Sequence, residues 1–212
     1  MSSAPSGPII FIVDDDDAVR DSLALLLGLR GYATRGFARG EEFLATIDRS
    51  ASGCILLDLR LPGIDGLAVQ TELAAREIPL PIIILTAHGD VATARAALKS
   101  GAFDFLEKPI DDAVLRATIE SALARDHEVR DRASRQAAWQ DRLARLTPRE
   151  REVLDLVVHG RHNREIAAAL GISPRTVEVY KARVMDKLQV DRLPDLIRIA
   201  LDFEISSRRD AP

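Results

Sequence analysis

Gly53-Cys54-Ile55-Leu56-Leu57-Asp58 is a short apolar run bounded by a glycine and a carboxylate. Four consecutive apolar residues of this kind suit a strand covered on both faces, as in a parallel sheet. Leu59-Arg60-Leu61-Pro62-Gly63 then turns the chain away. Asp58 therefore ends the strand, at the carboxyl edge of a sheet, where open α/β proteins bind ligands. A lone aspartate there is more simply a turn cap, so the other strand ends have to decide.

Four further β-like runs surround it, at residues 9–13, 32–35, 82–85 and 102–106. Between them Val19, Leu23, Leu26 and Leu27, and later Val91, Ala94 and Leu98, recur at helical spacing. Gly31, Gly53, Gly89 and Gly101 punctuate the joints. This alternation predicts an α/β fold: a doubly wound, five-stranded parallel sheet with five helices over residues 8–125. The first run ends in Asp14-Asp15-Asp16-Asp17, the third in Asp58 and the fourth in Thr86-Ala87, and Lys108-Pro109 follows the fifth. In a parallel sheet these ends share one edge. Carboxylates crowded there are costly unless a cation neutralises them. The donors are all oxygen, with no His or Cys, which selects a hard ion such as Mg²⁺. Lysine and threonine at the same edge suit phosphate oxygens, one as a compact charge and one as a hydroxyl. Taken singly, Asp17 reads as the N-cap of the next helix, Thr86 as a strand residue and Lys108 as a surface charge.

The rest of the chain supports two jobs. Apolar residues make up 47% of 212, enough for a core, and a single Cys excludes an intrachain disulfide and fits a reducing compartment. The apolar run 9–13 is too short for a signal or a membrane span, so a cytoplasmic protein with no membrane partner is expected. Residues 1–125 hold 18 acidic and 12 basic side chains, residues 126–212 hold 15 and 17, and 161–187 hold three and six. The basic second part points toward nucleic acid.

No Gly or Pro lies between Pro109 and Pro148, so one long helix, or two with a soft break, is expected. Its candidate seam Leu115, Ala122, Val129, Gln136 and Leu143 is only partly apolar, and the companion positions Ile119, Asp126, Ala133 and Gln140 are poorer. Residues 126–142 therefore read as a charged helical linker rather than a coiled coil, with Trp139 covering the domain that follows.

In residues 143–207, Thr147-Pro148-Arg149-Glu150 is a capping box with Pro at the first helical position, and Gly160 stops that helix. A helix over 163–170 ends at Gly171, Ser173-Pro174 starts another that runs to Leu188, and a fourth spans 193–205. The turn Gly171-Ile172-Ser173 joins two of these as a helix-turn-helix. Arg175, Lys181, Arg183 and Lys187 along the third helix, with Arg164 nearby, favour DNA over a merely solvated face.

The order Asp14-Asp15, Asp58, Thr86, Lys108-Pro109 resembles the receiver domain of two-component response regulators. That resemblance implies that Asp58 accepts a phosphoryl group from a sensor histidine kinase. Asp14, Asp15, Asp58 and the main-chain carbonyl of Arg60 would hold Mg²⁺, and Thr86 and Lys108 would contact the phosphoryl group. Phe105 falls at the family's switch aromatic, following Thr86, and the Lys108–Pro109 bond is expected cis. Arg60 and His88 flank the site and are candidates for tuning slow self-dephosphorylation. The stretches 146–154, 163–167 and 172–177 resemble a LuxR/NarL-type DNA-binding domain, and the whole chain is similar to the FixJ-type subgroup, with Tyr180 where the family commonly has His. This implies that Glu178, Val179 and Ala182 approach base edges while Arg175, Thr176, Lys181 and Lys187 hold phosphates, with Arg164 also on the DNA-binding side. Glu178 has two readings here, a cytosine amino contact or a pair with a neighbouring Arg. Leu196, Ile197, Ala200 and Leu201 would form a dimer face. The expected partners are double-stranded promoter DNA, a second copy on phosphorylation, and RNA polymerase. The chain is expected not to be an enzyme in its own right. A regulator acting through phosphorylation-dependent protein contact is the alternative. A standalone phosphotransfer enzyme is disfavoured, because only the acidic site and Lys108 offer substrate chemistry.

Overall fold

In a computed structural model that describes residues 7–86, 95 and 97–209, the five apolar runs pair as one parallel sheet in the order β2-β1-β3-β4-β5. The strands are β1 (Ile9–Val13), β2 (Ala33–Phe37), β3 (Gly53–Asp58), β4 (Ile82–Thr86) and β5 (Asp104–Glu107). The expected helical positions Val91 and Ala94, with His88, Gly89 and Asp90, lie outside the described residues. The edge strands begin later than the apolar pattern suggests, β2 by one residue and β5 by two. Their half-solvated residues, such as exposed Arg35 and Gly36, carry a weaker signal than the fully buried central strands.

Successive strand residues face opposite sides, and the core follows that period. Phe11, Val13, Ile55, Leu57, Ile82 and Ile84 pack with Phe43, Val69 and Leu73 from α2 (Gly40–Thr46) and α3 (Gly66–Ala75). Ile10, Ile12, Cys54, Leu56, Ile83 and Leu85 pack on the other side with Leu23 and Leu27 of α1 (Asp17–Gly28) and Leu115, Ile119 and Ala122 of α4 (Asp112–Ala144). The N-cap of α1 is Asp16 rather than Asp17: its Oδ1 accepts from the N–H of Ala18 at 2.8 Å. Two glycines are dictated by close approach. At Gly53, with φ +137°, a Cβ would fall 1.8 Å from the carbonyl oxygen of Ile9, and at Gly66 it would lie 2.5 Å from that of Asp58.

The positions Leu115, Ile119, Ala122 and Asp126, spaced 4, 3 and 4, are all buried in the first unit. The Asp126 carboxylate accepts from Ser52 Oγ at 2.8 Å, from the Gly53 N–H at 2.9 Å and from Arg130 Nε at 2.9 Å. These positions face a core of their own and are not a free coiled-coil seam.

The chain divides into two compact units, Met1–Asp131 and Arg132–Pro212. The second contains the end of α4, then α5 (Pro148–Val158), α6 (Asn163–Leu170), α7 (Pro174–Leu188) and α8 (Leu193–Arg209). Trp139, only 4% exposed, packs with Leu146, Leu154, Val184, Leu188, Leu196 and Ala200 and stacks on Phe203 at 5.5 Å. Arg142 donates to the carbonyl of Leu188, and Arg151 to that of Leu143. The stretch read as a linker, 126–142, is thus shared out: Asp126 and Arg130 bind the sheet, and Trp139 and Arg142 bind the helical unit. Among the described residues no helix is long and apolar enough to cross a membrane.

Candidate functional site

Strand order reverses between β1 and β3, and open sheets bind ligands in the crevice outside such a reversal. Asp58 is the last residue of β3, Asp14 follows β1, Thr86 ends β4 and Lys108 follows β5. Parallel pairing puts all four at one edge. Asp14, Asp58 and Thr86 are buried, while Asp15 is exposed. Lys108 Nζ donates to Asp14 Oδ2 at 2.7 Å and makes a shorter contact with Asp58 Oδ2. The Arg60 N–H donates to Asp58 Oδ1 at 2.8 Å, and the Asp16 N–H to Asp14 Oδ1 at 3.0 Å. The Lys108 N–H donates to the Thr86 carbonyl at 2.8 Å, and the Lys108–Pro109 bond is cis.

Charge in this crevice is not balanced. Among the described residues Asp14, Asp15 and Asp58 each bring an oxygen within 4.8 Å of the others, while the Lys108 ammonium bonds two of these carboxylates and the Arg20 guanidinium reaches, of this cluster, only the Asp14 main-chain carbonyl. Burial pushes the Asp14 carboxyl above its ordinary value, although the bonds from Lys108 and the Asp16 N–H pull the other way. For Lys108 burial acts downward, but its bonds to Asp14 and Asp58 outweigh it and hold the ammonium above its ordinary value. An all-oxygen donor set with uncompensated negative charge can hold a hard cation.

Phe105 pairs with Ile84 across β4 and β5, and Thr86 lies two residues beyond Ile84. The period of two therefore puts Thr86 and Phe105 on the same face.

In the helical unit, α6 ends at Gly171 in the left-handed region, φ +66°, and Ser173 Oγ caps α7 by accepting from the Thr176 N–H at 3.1 Å. Val177, Val184 and Leu188 of α7 are buried, which leaves Arg175, Glu178, Val179 and Ala182 exposed on its outer surface.

Residues 10–120 match the response regulator receiver domain, and residues 144–200 match the bacterial regulatory proteins of the luxR family. The transcriptional regulatory protein FixJ of Azorhizobium caulinodans is 44% identical over 98% of both chains. The chain belongs to the FixJ-type response regulators. The tetrathionate response regulatory protein TtrR of Salmonella typhimurium is 42% identical, with 89% of this chain and 90% of that one covered. Among solved structures, response regulator StyR superposes with TM-score 0.84 at 36% identity, covering 92% of this chain and 98% of that one. Full-length FixJ from B. japonicum gives 0.57 at 40% identity, covering 95% and 99%. The chain is accordingly a transcription regulator with a receiver domain and a LuxR-type helix-turn-helix.

Within that family the structure gathers Asp14, Asp15, Asp58, Thr86 and Lys108 of the receiver at one edge. In the DNA-binding domain it places part of the expected set against the domain's own residues. Lys187 is engaged within the domain: its Nζ donates to Glu150 Oε2 at 2.6 Å and to the carbonyl of Arg145 at 3.3 Å. Glu150 is only 3% exposed, and the Lys187 bond, joined by the Thr147 N–H, holds its carboxyl below the ordinary value. Leu196 and Ala200 likewise face the domain's own core, against Trp139, so they are not a free dimer face; Leu201 is 40% exposed. Glu178 accepts from Asn163 Nδ2 at 3.5 Å rather than pairing with a neighbouring Arg. Two residues escaped the sequence reading. Asp126 was signalled only as a polar residue continuing a buried apolar stripe, and Asn163 only as the first residue of a helix.

Proposed function

We propose that Asp58 accepts a phosphoryl group from the phosphohistidine of a sensor histidine kinase, and that the phosphorylated chain dimerises and binds promoter DNA. The observation that carries this reading is the Lys108 ammonium bridging Asp14 and Asp58 at the strand edge that also ends in Thr86. An Asp58 oxygen attacks phosphorus, a P–O bond forms, the P–N bond breaks, and the imidazole leaves with its electron pair and takes a proton. The Arg60 N–H holds the carboxylate in place, and Lys108 offsets charge on the phosphoryl oxygens. Asp14, Asp15, Asp58 and the Arg60 carbonyl are suited to hold Mg²⁺, which when bound neutralises phosphoryl oxygens. The Thr86 hydroxyl then binds a phosphoryl oxygen, and Phe105, on the same face, follows it and biases the surface around β4 and β5. In the DNA-binding domain α7 enters the major groove, with Glu178, Val179 and Ala182 toward base edges and Arg164, Arg175, Thr176 and Lys181 toward phosphates. Leu201 of α8 supplies an exposed apolar contact for a second copy, and the DNA-bound dimer acts on RNA polymerase in the cytoplasm. Action through protein contact alone is not favoured by the match to the luxR family. Asp58→Asn should abolish labelling by acetyl phosphate, and stable labelling elsewhere in that variant would contradict the assignment.

A further inference from the structure

Asn163 opens α6, the first helix of the helix-turn-helix, yet its side chain serves the second. Its Oδ1 accepts from Lys181 Nζ at 3.1 Å, while its Nδ2 donates to Glu178 Oε1 at 3.5 Å. Glu178 and Lys181 are three residues apart and therefore share one face of α7. An amide is the side chain suited to both: it presents an acceptor to the ammonium and a donor to the carboxylate. Aspartate would keep the first bond and repel Glu178.

Glu178 is also an unusual residue for its place. It is the sole acidic side chain between Pro174 and Met185, in a helix whose neighbours Arg175, Lys181 and Arg183 are basic. Its exposed neighbours Val179 and Ala182 have no polar side-chain atoms to orient it. A carboxylate free to swing toward DNA phosphates would oppose binding, whereas a tethered one can be aimed at a base edge. We infer that Asn163 is a positioning residue for sequence reading: it fixes the direction of Glu178, and with it a preference for a base pair that offers an amino donor in the major groove. Holding both side chains in place before binding also lowers the ordering cost on association. The inference rests on the DNA-reading role of α7 proposed above.

The test is selection of duplex sites from a random pool by the phosphorylated full-length chain, comparing the wild type with Asn163→Asp, Asn163→Ala and Glu178→Gln. Asn163→Asp keeps the size and the helix-starting character of the residue, which guards against misfolding, and thermal melts check each variant. The expected result is that Asn163→Asp and Asn163→Ala lose about tenfold discrimination at the base pair that Glu178→Gln also relaxes, with the salt dependence of affinity unchanged in Asn163→Ala and flattened by up to about one unit in Asn163→Asp, whose carboxylate pairs with Lys181. Wild-type preference retained in folded Asn163→Asp, or a loss spread evenly over all sequences, overturns the role of Asn163. A wild type that selects no sequence overturns instead the assignment of α7 as the DNA reader, and the inference with it.

Discussion

The two ends of β3 carry buried carboxylates of opposite character. At the amino end Asp126 receives the Ser52 hydroxyl, the Gly53 N–H and the Arg130 guanidinium. At the carboxyl end Asp58 and Asp14 share one Lys108 ammonium, Asp15 adds a third negative charge, and Asp14 is held above its ordinary pKa by burial. Both ends contain an ion pair, so the presence of one does not tell a working site from a holding one. The supply of donors does. A carboxylate saturated by fixed donors has nothing left to gain from a ligand, whereas an under-neutralised cluster is stabilised by a cation or a transient phosphoryl group. That difference makes one end a latch and the other the candidate site.

The largest effect is expected at the latch. Asp126→Ala leaves the Arg130, Ser52 and Gly53 donors facing a void and should destabilise the receiver by about 3 kcal/mol, measured by chemical denaturation. The single thiol reports on the same change. Cys54 is buried and, through burial and then the Asp126 charge, pushed up to about 12. It should resist thiol reagents in the folded wild type and react faster in Asp126→Ala, because the destabilised receiver opens more often.

At the other end the sign reverses. A raised Asp14 contributes stability while protonated, below its ordinary value of 3.8, and that contribution is lost as pH rises through its folded-state value. A saturating divalent cation, at about 100 times its dissociation constant, should restore about 2.7 kcal/mol at neutral pH. Thermal melts with and without Mg²⁺ should show this gain shrink toward acid pH and shrink again in Asp14→Asn.

A smaller effect tests the helical unit. Lys187→Ala should cost roughly 1–2 kcal/mol by stranding Glu150. Glu150 is held below its ordinary 4.5, so its contribution is present above that value and lost as pH falls through the lower folded-state one. The same variant should leave the salt dependence of DNA binding unchanged, whereas Arg175→Ala should flatten it by about one unit.

The gathering of Asp14, Asp58, Thr86 and Lys108 at one edge was legible because each ends or follows its own strand, and parallel pairing alone brings them together. Central strands were legible for a related reason, since both their faces are apolar. The latch was not, because the partners of Asp126 lie 73 and 74 residues away in sequence. Leu196 and Ala200 show a different limit. An apolar stripe on a helix reads the same whether it meets another chain or the chain's own core, and only the position of Trp139 separates the two. Asn163 was hidden because its meaning lies in an amide that spans two helices.

On the proposed function, chemistry at the under-neutralised end of β3 governs DNA binding by α7. The direct measurement is the affinity of the full-length chain for a selected duplex, before and after treatment with acetyl phosphate, in the wild type and in Asp58→Asn. Tighter binding after treatment in the wild type alone is the predicted result; equal affinity in both states of the wild type, or the same gain in Asp58→Asn, would contradict it.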